Sequence, residues 1–338
     1  MELGIYSFGG VTADTRTGET ISVRQRLDNL VRQAVMADEA GLDLIALGEH
    51  HRADHAISAP EVVLAAIASV TENIRLASGV TVLSTQDPVR VYQQFATLDQ
   101  LSGGRAEIIA GRGAFTESFP LFGYDIRDYD VLFEEKIRLL LQLVREERPV
   151  WQGTTRAALN GEVVAPRALQ DPLPVWIGVG GTPKSAVRAG TLGAPMFLAL
   201  FTSPDPGHRT VELYRRAAEQ AGHDAAALPI ASGGHMYIGR SSQKAKDDFF
   251  PYYSDYFKLH PSMPNGMPRP VYDQWLSSGL LVGSPQEVID GIMRHHEMLG
   301  ISRYVGQFDV GSMSFGMVSE SLELFATEVA PVIRKETA

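Results

Sequence analysis

Short apolar runs rich in β-branched residues alternate along this chain with segments whose apolar positions recur every three or four residues. A continuous apolar run suits a strand covered on both faces, and the longer period suits a helix with one buried stripe. Eight such units follow one another, with strands expected at Leu3 to Phe8, Leu44 to Gly48, Ile74 to Leu83, Ala106 to Gly111, Val175 to Val179, Met196 to Phe201, Ile230 to Ile238 and Tyr304 to Phe308. Strand–helix alternation predicts an α/β fold with a parallel sheet, and eight units suit a sheet closed into a (β/α)8 TIM barrel.

The helices carry their own start and stop signals. Ser22 followed by Gln25 fits a capping box; Leu27, Leu30, Val31, Ala34 and Val35 then form one stripe, and Gly41 supplies a stop. Asp87 before Pro88 reads as N-cap and first helical residue, with Tyr92, Phe95 and Ala96 on one face. Phe315, Val318, Leu322, Phe325 and Val329 mark a final helix packed outside the sheet.

Two connections exceed what the repeat requires and are expected as insertion loops after strands 4 and 7. Residues 113 to 127 follow the fourth strand. Residues 250 to 282 hold FPYYSDYFKLHPSMPNGMPRPVYDQW, whose aromatics suit a packed lid, a surface excursion or a subunit contact. No composition break divides the chain, so residues 1 to 338 are expected to form a single barrel domain.

Composition narrows the chemistry. An apolar fraction of 44% against 21% charged residues is that of a globular chain with a sizeable core, and no apolar run approaches the ~20 residues of a membrane span. The start MELGIYSFGG has neither a basic nor a cleavable apolar segment, so a cytoplasmic location is expected. The absence of cysteine excludes disulfides, thiolate metal sites and thiol nucleophiles, leaving His, carboxylates, hydroxyls or a cofactor. A net charge of −10 with dispersed Lys and Arg argues against nucleic acid as a partner.

In a barrel the site is built from the C-terminal ends of strands. The second strand ends in Gly48, Glu49, His50, His51 and Arg52, an acid and two imidazoles suited to proton exchange near neutral pH. One imidazole buried for structure and the other at the surface is the plainer alternative. Metal binding is disfavoured, because adjacent strand residues point to opposite faces. The fourth strand ends in Gly111, Arg112 and Gly113, a fixed cation that a planar or phosphorylated ligand could approach closely; a turn with a solvated charge reads equally well.

After the fifth strand, Gly178, Val179, Gly180, Gly181, Thr182, Pro183, Lys184 and Ser185 lead into a helix. Unpaired N–H groups at a helix start attract an anion, which the glycines admit and the hydroxyls of Thr182 and Ser185 can hold; alternatively Thr182 only caps the helix. A dinucleotide fingerprint fails, since Pro183 occupies the third glycine position and no acid follows at the expected distance. Gly79 and Val80 interrupt an otherwise ideal strand, which suggests a bulge or close ligand approach, or a packing site for a large neighbour.

The segments GEHHR at 48 to 52, ASGVTVLSTQDPV at 77 to 89, DQLSGGRAEIIAGRG at 99 to 113, IGVGGTPKSAVRAGTLGAPM at 177 to 196 and VGSPQEVIDGIMRHHEMLGISRYVGQFD at 282 to 309 resemble, in order, the bacterial-luciferase-like flavin-dependent monooxygenases. The resemblance implies a catalytic His50 with Glu49 beside it, and a non-prolyl cis peptide at Gly79 and Val80 against the flavin ring. It implies an FMN phosphate held by Gly111 and Arg112 on one side and by Gly180, Gly181, Thr182 and Ser185 on the other. Light-emitting members can carry a reactive cysteine where this chain has Gly111, so light emission and a long-chain aldehyde substrate are not expected.

The resemblance further implies a homodimer that uses reduced FMN and O2 on a small organic substrate. A separate flavin reductase is expected, because no nicotinamide motif is found. Two other readings remain at this stage: a hydride-transferring enzyme using the deazaflavin F420, and a flavin-binding protein without turnover.

Overall fold

The computed structural model describes residues 1–113, 115–180, 182–259 and 263–338. Eight parallel strands close into a barrel, as expected: β1 (Glu2–Ser7), β2 (Leu44–Leu47), β3 (Arg75–Ser78), β4 (Ala106–Gly111), β5 (Val175–Val179), β6 (Met196–Ala199), β7 (Ile230–Ile238) and β8 (Arg303–Gln307). Each strand pairs with the next, and β8 returns to β1 in the register Glu2 with Arg303 through Tyr6 with Gln307.

The two-residue period of a strand sorts the side chains. Leu3, Ile5, Ile45, Leu76, Ile108, Val175 and Leu198 face outward into one large core with the helices. Tyr6, Ala46, Ala77, Ile109, Trp176, Phe197, Ala231 and Val305 fill the barrel interior. Below them, at the N-terminal mouth, Glu107 is fully buried between Arg75 and Arg303, and Arg303 also lies 4.4 Å above the Trp176 ring. These ions satisfy one another, which is the condition for burying them.

The N-cap bonds form, although the Gln25 side chain donates to Asn29 at 3.0 Å and does not close the expected capping box. Helix α1 (Val23–Glu39) begins with the Ser22 hydroxyl accepting from the Gln25 N–H, and helix α2 (Pro88–Ser102) begins with Asp87 accepting from Val89 and Arg90. The third strand departs from expectation. It stops at Ser78, and Thr81–Val82 then resumes pairing with Ala110–Gly111 of β4. Ala77 faces Glu107 and Thr81 faces Ala110, so the β3 side carries one extra residue and forms a bulge. The Gly79–Val80 peptide within it is cis.

Both insertions are more regular than loops. After β4 come a short helical turn, Ser118–Leu121, and helix α3 (Tyr129–Leu143). After β7, helix α4 (Ser242–Tyr256) runs through Pro251 into the stretch expected to be a long connection. Phe249, Tyr252 and Tyr253 recur at helical spacing and are buried. An Arg269–Ser277 helix follows. A third excursion, unanticipated, lies between α3 and β5 and holds a small hairpin of Val150–Trp151 with Leu159–Asn160. Among the described residues no helix is long and apolar enough to cross a membrane.

Candidate active site

A cleft of about 380 Å³ opens at the C-terminal ends of the strands, the barrel face on which loops converge. His50, Glu49, Gly79, Val80, Gly111, Arg112, Gly180, Thr182 and Ser185 all line it. Gly181, the remaining expected contact, lies outside the described residues.

At the end of β2 the two imidazoles diverge. His50 packs its ring against Phe8 at 4.8 Å, His55 at 4.4 Å and Phe115 at 5.4 Å. Burial pushes its pKa down to about 3, with the neighbouring His55 adding to the effect, so it is neutral near pH 7. His51 instead sets its Nε2 2.7 Å from Glu49 Oε1. The Glu49 side chain is fully buried; its Oε1 also accepts from Gln86 at 3.1 Å, and its Oε2 accepts the Val82 N–H at 2.7 Å. No cluster of metal-ligating side chains occurs among the described residues.

The centre of the cleft is shaped by Val80. A Cβ on Gly111 would lie 2.6 Å from Val80 Cγ2, and one on Gly178 would lie 2.8 Å from Val80 Cγ1. Glycine at both positions lets the isopropyl group settle between β4 and β5.

Beyond Val80 the cleft becomes cationic. Arg112 donates through Nη2 to Ser185 Oγ at 3.0 Å and through Nη1 to Asp130 at 3.0 Å, with its guanidinium 4.7 Å over the Tyr129 ring. Asp130 also accepts from Lys184 at 2.7 Å, and Lys184, Arg112 and Arg188 together hold its carboxyl below the usual range. Helix α5 (Pro183–Thr191) starts here, and Thr182 occupies its N-cap without making the side-chain cap bond, so its hydroxyl is not spent on the helix. A Cβ on Gly180 would meet nothing within 4 Å, which leaves the backbone open to the cleft. Fixed donors at a helix start, with Arg112, Lys184 and Arg188 gathered around Asp130, suit a phosphate monoester.

Sequence reasoning missed several contributors. Phe8, Phe115 and Tyr129 line the cleft, and Tyr129 donates to the Gly113 carbonyl at 3.0 Å. His55, with Nδ1 3.0 Å from Asp54 Oδ1, lies just beyond His50. The Asp-His pair in RADH was the available signal.

The family model described as luciferase-like monooxygenase matches residues 1–303. The alpha chain of alkanal monooxygenase from Photorhabdus luminescens is 24% identical over 91% of this chain and 91% of its own length. The oxygenase component of the flavin-dependent trigonelline monooxygenase of Acinetobacter baylyi is 24% identical over 94% of this chain and 92% of its own. Among solved structures, monooxygenase RslO1 from Streptomyces bottropensis superposes with a TM-score of 0.87 at 25% identity, covering 98% of this chain and 99% of that one. On the strength of that match, the collinear motifs and the barrel that presents them, this chain belongs to the luciferase-like monooxygenase family.

Proposed function

We propose that the chain is the oxygenase of a two-component, FMN-dependent monooxygenase that acts on a small organic substrate. The observation that carries this reading is the phosphate-sized donor set at one end of the cleft: Arg112, Ser185, the unspent Thr182 hydroxyl and the start of α5. These residues fit an FMN phosphate, with Gly180 leaving the approach clear and Val80, between Gly111 and Gly178, supporting a planar ring. Bound reduced FMN supplies the electrons with which O2 is activated, chemistry that no side chain here can provide.

The protein's own residues bind, orient and move protons. His50, neutral and facing the cleft, is placed to relay a proton at its ring nitrogens. The Glu49 carboxylate is committed to three donors, which supports a positioning role: it fixes His51 and the segment that carries Val80. Phe8 and Phe115 flank His50 and keep water from its ring. Reduced flavin comes from a separate reductase, in keeping with a relative that is itself an oxygenase component.

The chain works as a homodimer. Val62 and Leu101, 65% and 68% exposed, border one shallow groove together with Glu61, Arg90, Gln93 and Gln94, a mixed face that supports this part of the reading. Sedimentation at micromolar concentration should give twice the chain mass; a monomer would remove this part of the reading.

The test is titration of the purified protein with oxidised FMN, reduced FMN and F420, followed by oxygen-consumption measurements on the reduced complex. FMN binding with O2 uptake supports the proposal. Preference for F420 without O2 uptake would replace it with a hydride-transfer enzyme, and FMN binding without O2 uptake would leave a flavin carrier.

A further inference from the structure

A second cavity, of about 190 Å³, adjoins the cleft on the side of β8 and β1. Phe8 lines both spaces, and the His50 ring on the cleft side packs at 4.4 Å, tilted by 33°, against His55, which lines the second cavity. The other walls include Tyr256, Gln307, Asp309, Asp54 and Asp255.

Three features of this cavity point to a ligand. Gln307 is 2% exposed, and its Oε1 is buried with no hydrogen-bond partner. Asp309 binds Ser7 and Arg26 through Oδ2, while its Oδ1 is buried and also unpartnered. Two residues lining one small space thus each keep a buried acceptor with no partner among the described residues. The third feature is the Asp54–His55 pair. Asp54 receives both Arg52 nitrogens at 2.9 Å and holds His55 Nδ1 at 3.0 Å, so Nε2 is the imidazole nitrogen left to meet a ligand. The pair is fixed from outside: Gly10 bridges His55, Val11 donates to the Asp54 carbonyl, and Ala56 donates to Gly9.

Charge defines the ligand further. Each carboxylate of the cavity has its own cation: Asp54 with Arg52, Asp309 with Arg26, and Asp255 with Lys258. Among the described residues no net charge is left over to select an ion, and the rings of Phe8 and Tyr256 suit a flat apolar body. We propose that this cavity is the substrate end of the site, that it takes a neutral ring compound with an acidic hydroxyl, a phenol or an enol, and that His55 is the base that removes the hydroxyl proton. In that step the substrate O–H bond breaks, an Nε2–H bond forms, and the electron pair stays on oxygen, where it enriches the ring. The imidazolium is stabilised by Asp54, a positioning residue. This deepens the monooxygenase reading and rests on it, since an electron-rich ring is what an oxygen-inserting enzyme attacks.

The test uses 4-nitrophenol, whose phenolate absorbs in the visible, added to the full chain with and without saturating FMN, at a pH where the free phenol is mostly protonated. Wild type should bind it and convert it to phenolate. His55→Gln should bind within about threefold but leave the phenol protonated, and Asp54→Asn should lower the phenolate fraction without altering FMN affinity. Gln307→Leu, which touches only the second cavity, should weaken binding by about tenfold, as for a lost buried hydrogen bond. No binding by wild type, phenolate in H55Q equal to wild type, or unchanged affinity in Q307L would each overturn the proposal. Failure to bind FMN while the phenol behaves as described would sink the flavin reading and leave the cavity assignment standing; the reverse result would sink only the latter.

Discussion

Glu49 and Val82 are joined by a 2.7 Å hydrogen bond from the Val82 N–H to the Glu49 carboxylate, and two residues earlier the Val80 carbonyl accepts the Glu49 N–H at 3.1 Å. One residue at the end of β2 thus grips the bulge beyond β3 at two points, on either side of Thr81. The position of Val80 in the cleft is set as much by this grip as by the glycines around it.

Glu49→Gln should therefore act on structure first. An amide cannot accept at both ends, so its NH2 would confront either the Val82 N–H or the donors His51 and Gln86. A loss of about 1–3 kcal/mol is expected, the cost of an unsatisfied buried donor. Urea denaturation would measure it, and FMN affinity should fall alongside. An unchanged midpoint would mean that the carboxylate is not needed where it sits.

Arg112→Ala should raise the FMN dissociation constant at least tenfold, since a charge-assisted contact to phosphate contributes about 1.5–3 kcal/mol. Arg112→Lys should fall between, because it keeps the charge and loses the fork that reaches Ser185 and Asp130 together. Flavin fluorescence titration reads both. Equal affinity in all three proteins would exclude the residue from the phosphate site.

Two alanine substitutions separate packing from approach. Gly111→Ala places a methyl group 2.6 Å from Val80 Cγ2 and should displace it, lowering both stability and flavin affinity. Gly180→Ala meets no protein atom and should fold with a wild-type melting temperature, so any loss of FMN affinity there reports on the ligand. A destabilised G180A would contradict the open geometry of that turn.

Acid should destabilise the fold through three buried imidazoles. Desolvation lowers His50 and His235 to about 3 and His295 to about 4, from an unfolded value near 6.5. Between those limits the unfolded chain binds more protons than the folded one, so stability is full above pH 6.5 and falls as pH drops. Each His contributes about 1.4 kcal/mol per pH unit, or about 4 for the three. Urea midpoints at pH 7 and pH 5 test this; identical values would mean that the imidazoles are charged in the native state.

Much of this was legible in the sequence for a physical reason. Strands buried on both faces leave continuous apolar runs, and Ser22 and Asp87 announced their helices through capping chemistry. Even the break in the third strand was visible, because Gly79 has no side chain to contribute to a strand. What stayed hidden has no local period. Asp54 and His55 owe their place to a loop zipped onto Gly9–Val11, and the second cavity gathers Phe8, His55, Tyr256 and Gln307 from distant parts of the chain. Helix α4 was masked by Pro251, and the Val150 hairpin by strands of two residues with Val150 itself exposed.

The pairing of Glu2–Tyr6 with Arg303–Gln307 also has a bearing on biosynthesis. Of the barrel strands, β1 is made first and its partner β8 last, and until β8 emerges both flanks of the nascent sheet remain open to wrong partners. Closure of the barrel therefore waits on translation of nearly its whole length, and chaperone supply during synthesis should affect its yield independently of the stability of the finished barrel.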